Sequence, residues 1–469
     1  MYLKLFNTAT QKLESFKPIR PNEVGLYACG PTVYQFAHLG NFRTYLFEDW
    51  LRRVLEYHGY AVKHVMNITD VGHLVSDADS GEDKLALAAK KEGKSAWQIA
   101  SFYTDAFFFD TDRLNIERPH STPKAADHIK DQIALIQQLD AKGFIYQTSD
   151  GVYFDIQKFP GYAILGGQSL TDLEAGARVE INPDKRHWAD FALWKFSPSD
   201  TKRDMEWESP WGTGFPGWHL ECSAMSVNEL GQPFDLHAGG IDHIFPHHTN
   251  EIAQSQAATG LPLANFWLHG AFMLVDSQKM GKSLGNTFTL QDIVERGHAP
   301  LAFRYLALQT HYRKQLNFTW QALASAEQAL FKLSALAECL PEQGNKVPVE
   351  IEENFRAFIA DDLALPQAIA LFWEVLKSNQ PDEVKAQVIV HWDQIFGLGL
   401  KEKLGQGQKI PFEIQRLLKE RDQARLNKNF VIADRLRQQI EEQGFTVHDK
   451  DAESFATRNP NADRQPFNH

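Results

Sequence analysis

Two short stretches of this sequence carry residues suited to holding phosphate. His38-Leu39-Gly40-Asn41 falls where a loop feeds a helix. That end of a helix offers unpaired N–H groups and a positive potential. Gly40 lets a nucleotide approach the backbone, and imidazole and amide donors beside it suit phosphate oxygens. An ordinary capped helix start reads the same way. Lys279-Met280-Gly281-Lys282-Ser283 is the second stretch. Its two ammonium groups bracket a glycine and suit the charge of a triphosphate during transfer. A solvated lysine loop is the plain alternative.

A third constellation suits a metal. His247 and Glu251 are four apart and share one face of a helix. Pro246 fits the first turn of that helix. Cys29 ends an apolar strand and Cys222 lies in GWHLECSAM. Two thiolates, one imidazole and one carboxylate complete a tetrahedral Zn²⁺ site. No local zinc-finger spacing relates them, so the fold must bring them together. A His–Glu ion pair beside two buried thiols stays open as the other reading.

The elements that must position these residues are legible in outline. Residues 24–29 are apolar and bounded by Gly30-Pro31, which predicts a buried strand. Leu39, Phe42, Leu46, Trp50, Leu51, Val54 and Leu55 recur at helical spacing, and Gly59 closes that helix. Residues 61–67 form a second strand. Strand, helix, strand in about 45 residues is a βαβ unit with a parallel sheet. Residues 71–115 are mostly helical, 125–142 form an amphipathic helix, and 143–155 form a hairpin around Ser149-Asp150-Gly151. The sheet resumes after Trp218, with strands at 234–237 and 266–268 and a helix over 247–258 between them. From about 297 onward the pattern is helical. A linker covers 402–409, a helical pair covers 411–427 and 430–443, and the tail after Lys450 is polar and frayed.

The bulk numbers agree with a large globular chain. It has 469 residues, 43% hydrophobic and 23% charged, which suggests about three domains. A net charge of −12 argues against a surface coated for non-specific nucleic-acid binding. It leaves room for a local basic face. Residues 410–440 carry seven basic and four acidic side chains. Three cysteines make no disulfide framework and fit a reducing compartment. There is no leader pattern and no membrane span. A soluble cytoplasmic protein is expected.

In order and spacing, seven segments resemble the cysteinyl-tRNA synthetases, a class I aminoacyl-tRNA synthetase family. They are YACGPTVY (27–34), NITD (67–70), DFALWK (190–195), PGWHLECSAM (216–225), DLHAGGIDHIFPHHTNEIAQS (235–255), KMGKSLGN (279–286) and HYRKQLNF (311–318). HLGN and KMGKS resemble the class signatures usually written HIGH and KMSKS. The resemblance covers residues 1–320, with a weaker helical continuation to about 445. This sequence departs from the pattern at Asn41, at Gly281, at Val71-Gly72-His73 and in its C-terminal tail.

The resemblance implies an α/β fold: a parallel-sheet Rossmann-type nucleotide-binding domain with an insertion, then a helical bundle and a small C-terminal helical domain. The expected divisions are 1–115 and 206–296 for the two halves of the catalytic domain, 116–205 for the connective insertion, 297–320 for a stem-contact region, 321–401 for the bundle and 410–469 for an anticodon-binding domain. It implies that Cys29, Cys222, His247 and Glu251 hold zinc. Thr69, Trp218 and His237 would line the cysteine pocket. His38, Gly40, Asn41, Lys279 and Lys282 would handle ATP, carried as Mg-ATP, with Gly240 and Asp242 at its ribose. The implied reaction joins L-cysteine to tRNA(Cys) in a monomer. The basic excess over 410–440 makes Arg421, Arg425 and Arg435 candidates to meet tRNA phosphates, with a solvated, ion-paired helix face as the plain alternative. A cysteine ligase acting on a small amino sugar is the nearest rival. A non-catalytic zinc-bearing RNA-binding module is the rival from another class.

Overall fold

A computed structural model describes residues 2–72, 84–162, 165–167, 184–198, 203–281, 284–406, 411–450 and 453–458. The chain begins with an antiparallel hairpin, β1 (Lys4–Asn7) and β2 (Lys12–Ser15). Strand β3 (Glu23–Ala28), helix α1 (Leu39–Tyr57) and strand β4 (Ala61–Met66) then form the expected βαβ unit. β3 and β4 are parallel, in register from Glu23↔Ala61 to Ala28↔Met66. The α1 residues at helical spacing are all buried. Gly59 follows its end with φ +89°, a left-handed conformation that costs glycine little.

Two helices come next, α2 (Lys84–Glu92) and α3 (Ala96–Arg113), followed by α4 (Ile129–Ala141). The hairpin read around Asp150-Gly151 is real: β5 (Ile145–Gln147) pairs with β6 (Gly151–Phe154). It continues into β7 (Phe191–Phe196) and β8 (Gly214–Pro216), a four-stranded antiparallel sheet whose last strand lies beyond residue 205. A helix the sequence reading lacked follows, α5 (Trp218–Leu230). Its buried face mixes Leu220 and Met225 with His219, Glu221, Ser223 and Ser226, so no apolar stripe marks it.

The parallel sheet is completed by β9 (Phe234–Gly240), α6 (Thr249–Thr259) and β10 (Ala264–Gly270). Its order is β10-β9-β3-β4. Pro246 does not open α6; residues 244–248 form a separate turn before the helix begins at Thr249.

After the sheet, β11 (Met273–Val275) pairs with β12 (Gln278–Lys279) and, in parallel, with β13 (Leu316–Phe318). Helices α7 (Leu290–Glu295) and α8 (Pro300–Leu308) lie between β12 and β13. The bundle is α9 (Trp320–Cys339), α10 (Val349–Ala360), α11 (Leu365–Lys377) and α12 (Asp382–Phe396). One hydrophobic core runs from the sheet into it, through Trp50, Phe303, Phe355 and Trp392. Arg304 crosses that junction fully buried. It donates to Asp49 at 2.6 Å and to the carbonyls of Phe396, Leu114 and Asn115.

The C-terminal unit is helical only in part. Helices α13 (Phe412–Leu426) and α14 (Phe430–Glu442) carry a hairpin, β14 (Phe445–Lys450) and β15 (Glu453–Arg458). Within the tail expected to be frayed, Glu453–Arg458 is a strand. Val447 and Ala456 seal the core of this unit with Ile414, Leu417 and Ile440. Among the described residues no helix is long and apolar enough to cross a membrane.

Candidate active site and metal centre

The chain leaves β3 for β4 on one side and β9 for β10 on the other. The strand order reverses between β3 and β9, and a crevice opens beyond their carboxyl ends, where ligands bind in open α/β sheets. A cavity of about 660 Å³ fills that crevice. Cys29 follows β3 directly, and Gly240 ends β9.

On one side of the cavity stands the start of α1. His38 is its N-cap: Nδ1 accepts from the Asn41 N–H at 3.1 Å, and Asn41 Oδ1 accepts from the His38 N–H at 3.1 Å. The reciprocal pair occupies Nδ1 as an acceptor, so Nε2 is the nitrogen left to donate. Asparagine in place of the usual histidine thus supplies half of a capping box. A Cβ at Gly40 would sit 3.1 Å from the His38 ring and 3.5 Å from Met280 Sδ. A side chain here would crowd the His38 ring, and Met280 packs against the same point.

Lys279 and Gly281 line the same cavity; Lys282 and Ser283 lie outside the described residues. Asn286 ties the loop together, accepting from the Gly281 N–H at 2.8 Å and donating to the Lys279 carbonyl at 3.1 Å. In sequence this asparagine is only the last residue of KMGKSLGN, with nothing to mark that role. Gly240 and Asp242 lie opposite, where a Cβ on Gly240 would fall 2.3 Å from Asp242 Oδ1. Thr69 accepts from Asn67 Nδ2 at 2.9 Å, and Asn67 Oδ1 in turn holds the Gly30 N–H.

The four expected metal ligands converge. One donor atom from each of Cys29, Cys222, His247 and Glu251 lies within 4.8 Å of the other three, and all four side chains are buried. His247 Nε2 is 3.2 Å from Glu251 Oε1, an oxygen that accepts no hydrogen bond among the described residues. A second set, Cys29, His237, His248 and Glu251, meets the same limit. Cys29, Cys222 and His247 open on the cavity, whereas His237 and His248 do not. The first set is therefore the one a substrate can reach. Soft thiolates with imidazole and one carboxylate fit zinc.

His237 is not on the cavity wall, where the resemblance put it. It is fully buried behind the donor set, its Nε2 3.0 Å from Glu251 Oε2. Trp218 is on the wall, its ring 4.3 Å from that of His247. Behind Cys29 runs a chain the sequence did not reveal. Thr8 Oγ1 is 2.7 Å from His269 Nδ1, His269 Nε2 is 2.8 Å from His248 Nδ1, and His248 Nε2 is 3.3 Å from Cys29 Sγ. Burial and neighbouring histidines hold His248 and His269 well below the usual imidazole range. Burial pushes the Cys29 thiol up.

Comparison with known proteins shows the family of the chain. The profile described as "tRNA synthetases class I (C) catalytic domain" covers residues 15–328. The structure of a methionyl-tRNA synthetase from Mycobacterium tuberculosis, solved with methionyl-adenylate, superposes with a TM-score of 0.58 at 15% identity, covering 81% of this chain and 93% of that one. The fold and site define a class I aminoacyl-tRNA synthetase catalytic domain. Among curated relatives, "Cysteine--tRNA ligase 1" of Burkholderia lata is 49% identical over 96% of this chain and 95% of its own length. "Cysteine--tRNA ligase" of Treponema denticola is 42% identical over 96% and 98%. The chain belongs to the cysteine–tRNA ligase family.

Proposed function

We propose that this chain activates L-cysteine with ATP and transfers it to tRNA(Cys), as a monomeric cytoplasmic enzyme. The observation that carries the reading is that Cys29, Cys222 and His247, three of the four converging donors, share one cavity with His38, Gly40 and Asn41 at the capped start of α1. Amino-acid selection and phosphate chemistry then share one cavity.

The cysteine carboxylate is already a nucleophile and attacks the α-phosphorus of ATP, with pyrophosphate leaving. No protein base is needed. His38 Nε2–H and the Asn41 amide donate to phosphate oxygens, and Lys279 and Lys282 neutralise the departing pyrophosphate, with Mg²⁺ entering on ATP. Gly40 and Gly240 keep the backbone low enough for the nucleotide, and Asp242 accepts from its ribose. Thr69 and Trp218 enclose the amino acid. Zinc held by the four ligands supplies a soft acid for the substrate sulfur, which a serine hydroxyl matches poorly. A terminal ribose hydroxyl of the tRNA then takes the cysteinyl group and AMP leaves.

In the same reading, 116–205 is the connective insertion between catalytic halves 1–115 and 206–296. Residues 297–320 meet the tRNA stem, 321–401 form the bundle, and 410–469 read the anticodon. A ligase for a small amino sugar would have no use for the roughly 150 residues after Trp320. Cysteine-dependent exchange of pyrophosphate into ATP, with charging of tRNA(Cys), tests the proposal. Exchange without tRNA charging would favour the small-molecule ligase. Neither activity, in protein that holds zinc, would overturn both.

A further inference from the structure

Besides the metal donors, the cavity has aromatic lining. Phe36, Tyr103 and Phe107 are part of it. Phe36 meets Tyr103 edge-on at 5.1 Å and Phe102 at 6.0 Å, and Phe102 meets Tyr103 at 5.1 Å. Phe36, Phe102 and Tyr103 are half-buried, so part of each ring faces solvent. The activation chemistry above uses none of them.

The rings are held in place from behind. Tyr103 donates its hydroxyl to Glu92 Oε1 at 2.7 Å, and Lys94 Nζ lies 3.0 Å from Glu92 Oε2. The same ammonium sits 4.7 Å from the centre of the Phe102 ring. Lys90 and Lys91, in the last turn of α2, are exposed just before this pair. A chain of net charge −12 therefore has three exposed lysines within five residues, one of which, Lys94, sits against this half-open aromatic surface.

Resting on the reading of the site as a tRNA ligase, we propose that Phe36 and Tyr103 form the stacking platform for the 3′-terminal base of the tRNA. Lys90, Lys91 and Lys94 meet the phosphates that lead to it. The cavity must admit a single-stranded RNA end, because the acceptor hydroxyl has to reach the activated carboxyl. Single strands are held by aromatic faces flanked by cations. The platform is continuous with the cavity, so a base stacked on it brings its ribose in beside the reacting carbon. Glu92 is a positioning residue: it fixes the plane of Tyr103 and touches no substrate.

The test separates the two steps. Tyr103→Leu and Phe36→Leu are each compared with the parent in cysteine-dependent pyrophosphate exchange and in single-turnover transfer to tRNA. Transfer should fall about tenfold or more beyond any change in exchange. Tyr103→Phe, which keeps the ring, should retain most of the transfer rate. A tRNA whose last nucleotide lacks its base should be a poor acceptor for the parent and no worse for Tyr103→Leu, since both remove the same contact. Equal losses in both steps, or additive losses with the abasic tRNA, would overturn the platform. Parent protein that exchanges but never charges tRNA would instead overturn the reading beneath it.

Discussion

His237 Nε2 stands 3.0 Å from Glu251 Oε2, and both side chains are sealed from water. A carboxylate with one oxygen so held can turn only its other oxygen toward Cys29, Cys222 and His247. Groups behind a metal ligand fix its orientation, and their loss costs about 10–100-fold in metal affinity. His237→Ala should therefore release zinc to a chelator more readily by that factor. Cys222→Ser should lose zinc and cysteine activation together, because a hydroxyl is a poor ligand. Unchanged zinc retention in His237→Ala, followed by chelator competition, would return this histidine to an ordinary core role.

Lys279 lines the cavity from an exposed position on β12, and Asn286 holds the loop that follows. An ammonium that meets charge developing on pyrophosphate acts on the transition state more than on bound cysteine. Lys279→Ala should lower the exchange rate by roughly 10²-fold with little change in the cysteine KM. Lys282→Ala should behave alike. A rise in KM at constant rate would mean that these lysines only bind.

Serine should fail at activation. Apolar pockets separate near-isosteres by only about 10–200-fold, and a metal-bound thiolate is a stronger discriminator. Exchange with serine should fall below exchange with cysteine by more than about 10³-fold at equal concentration. Comparable turnover would remove the donor set from substrate selection.

How far the sequence foretold this site depends on the kind of signal each part carries. Helix α1 was legible to its last turn, because its buried residues recur at 3.6 spacing and Gly59 must follow. His247 and Glu251 are related by their four-residue spacing, whereas Cys29 and Cys222 have no periodic relation to them or to each other; residue type made the four a candidate set, and only the resemblance singled it out over a His–Glu pair beside two buried thiols. The short strands β11 and β13 hold three residues each, too few to show alternation. Lys279 is set at the cavity by the pairing of β11 with β12, Leu274↔Lys279, and a two-residue strand could not be read either. The Thr8–His269–His248 chain links three distant segments that touch only in three dimensions. The hairpin β14–β15 was hidden by its polar strands, which bury little beyond Val447 and Ala456.

That hairpin changes what one arginine does. Arg421 is 5% exposed and donates to Asp449 of β14 at 2.7 Å, and it also meets Ser454 of β15. Arg425 reaches the same carboxylate at 2.5 Å. Arg421 is therefore a bolt between helix and hairpin, not the phosphate contact the sequence suggested. Arg421→Gln should destabilise the C-terminal unit by about 2 kcal/mol, seen as earlier proteolysis there. Arg435 is exposed on α14. Arg435→Gln should leave stability unchanged and reduce the salt slope of tRNA binding by about one. An unchanged slope would leave Arg435 as a solvated side chain.

Glu48 gives a test of stability against pH. It lies on α1 one turn past Thr44, is fully buried, and neither carboxylate oxygen has a hydrogen-bond partner among the described residues. Burial pushes its carboxyl well above the usual range, since charge there finds no compensating cation. In the unfolded chain the group titrates normally. Below that ordinary value both states hold the proton, and Glu48 costs nothing. As pH rises, the unfolded chain releases the proton while the folded chain keeps it, so stability falls until the raised folded value is reached. Glutamine keeps the shape and has no proton to lose. Glu48→Gln should match the parent in urea midpoint near pH 4 and exceed it by a margin that widens toward pH 8. A margin that stayed constant over that range would mean that Glu48 ionises in the fold as freely as in the open chain.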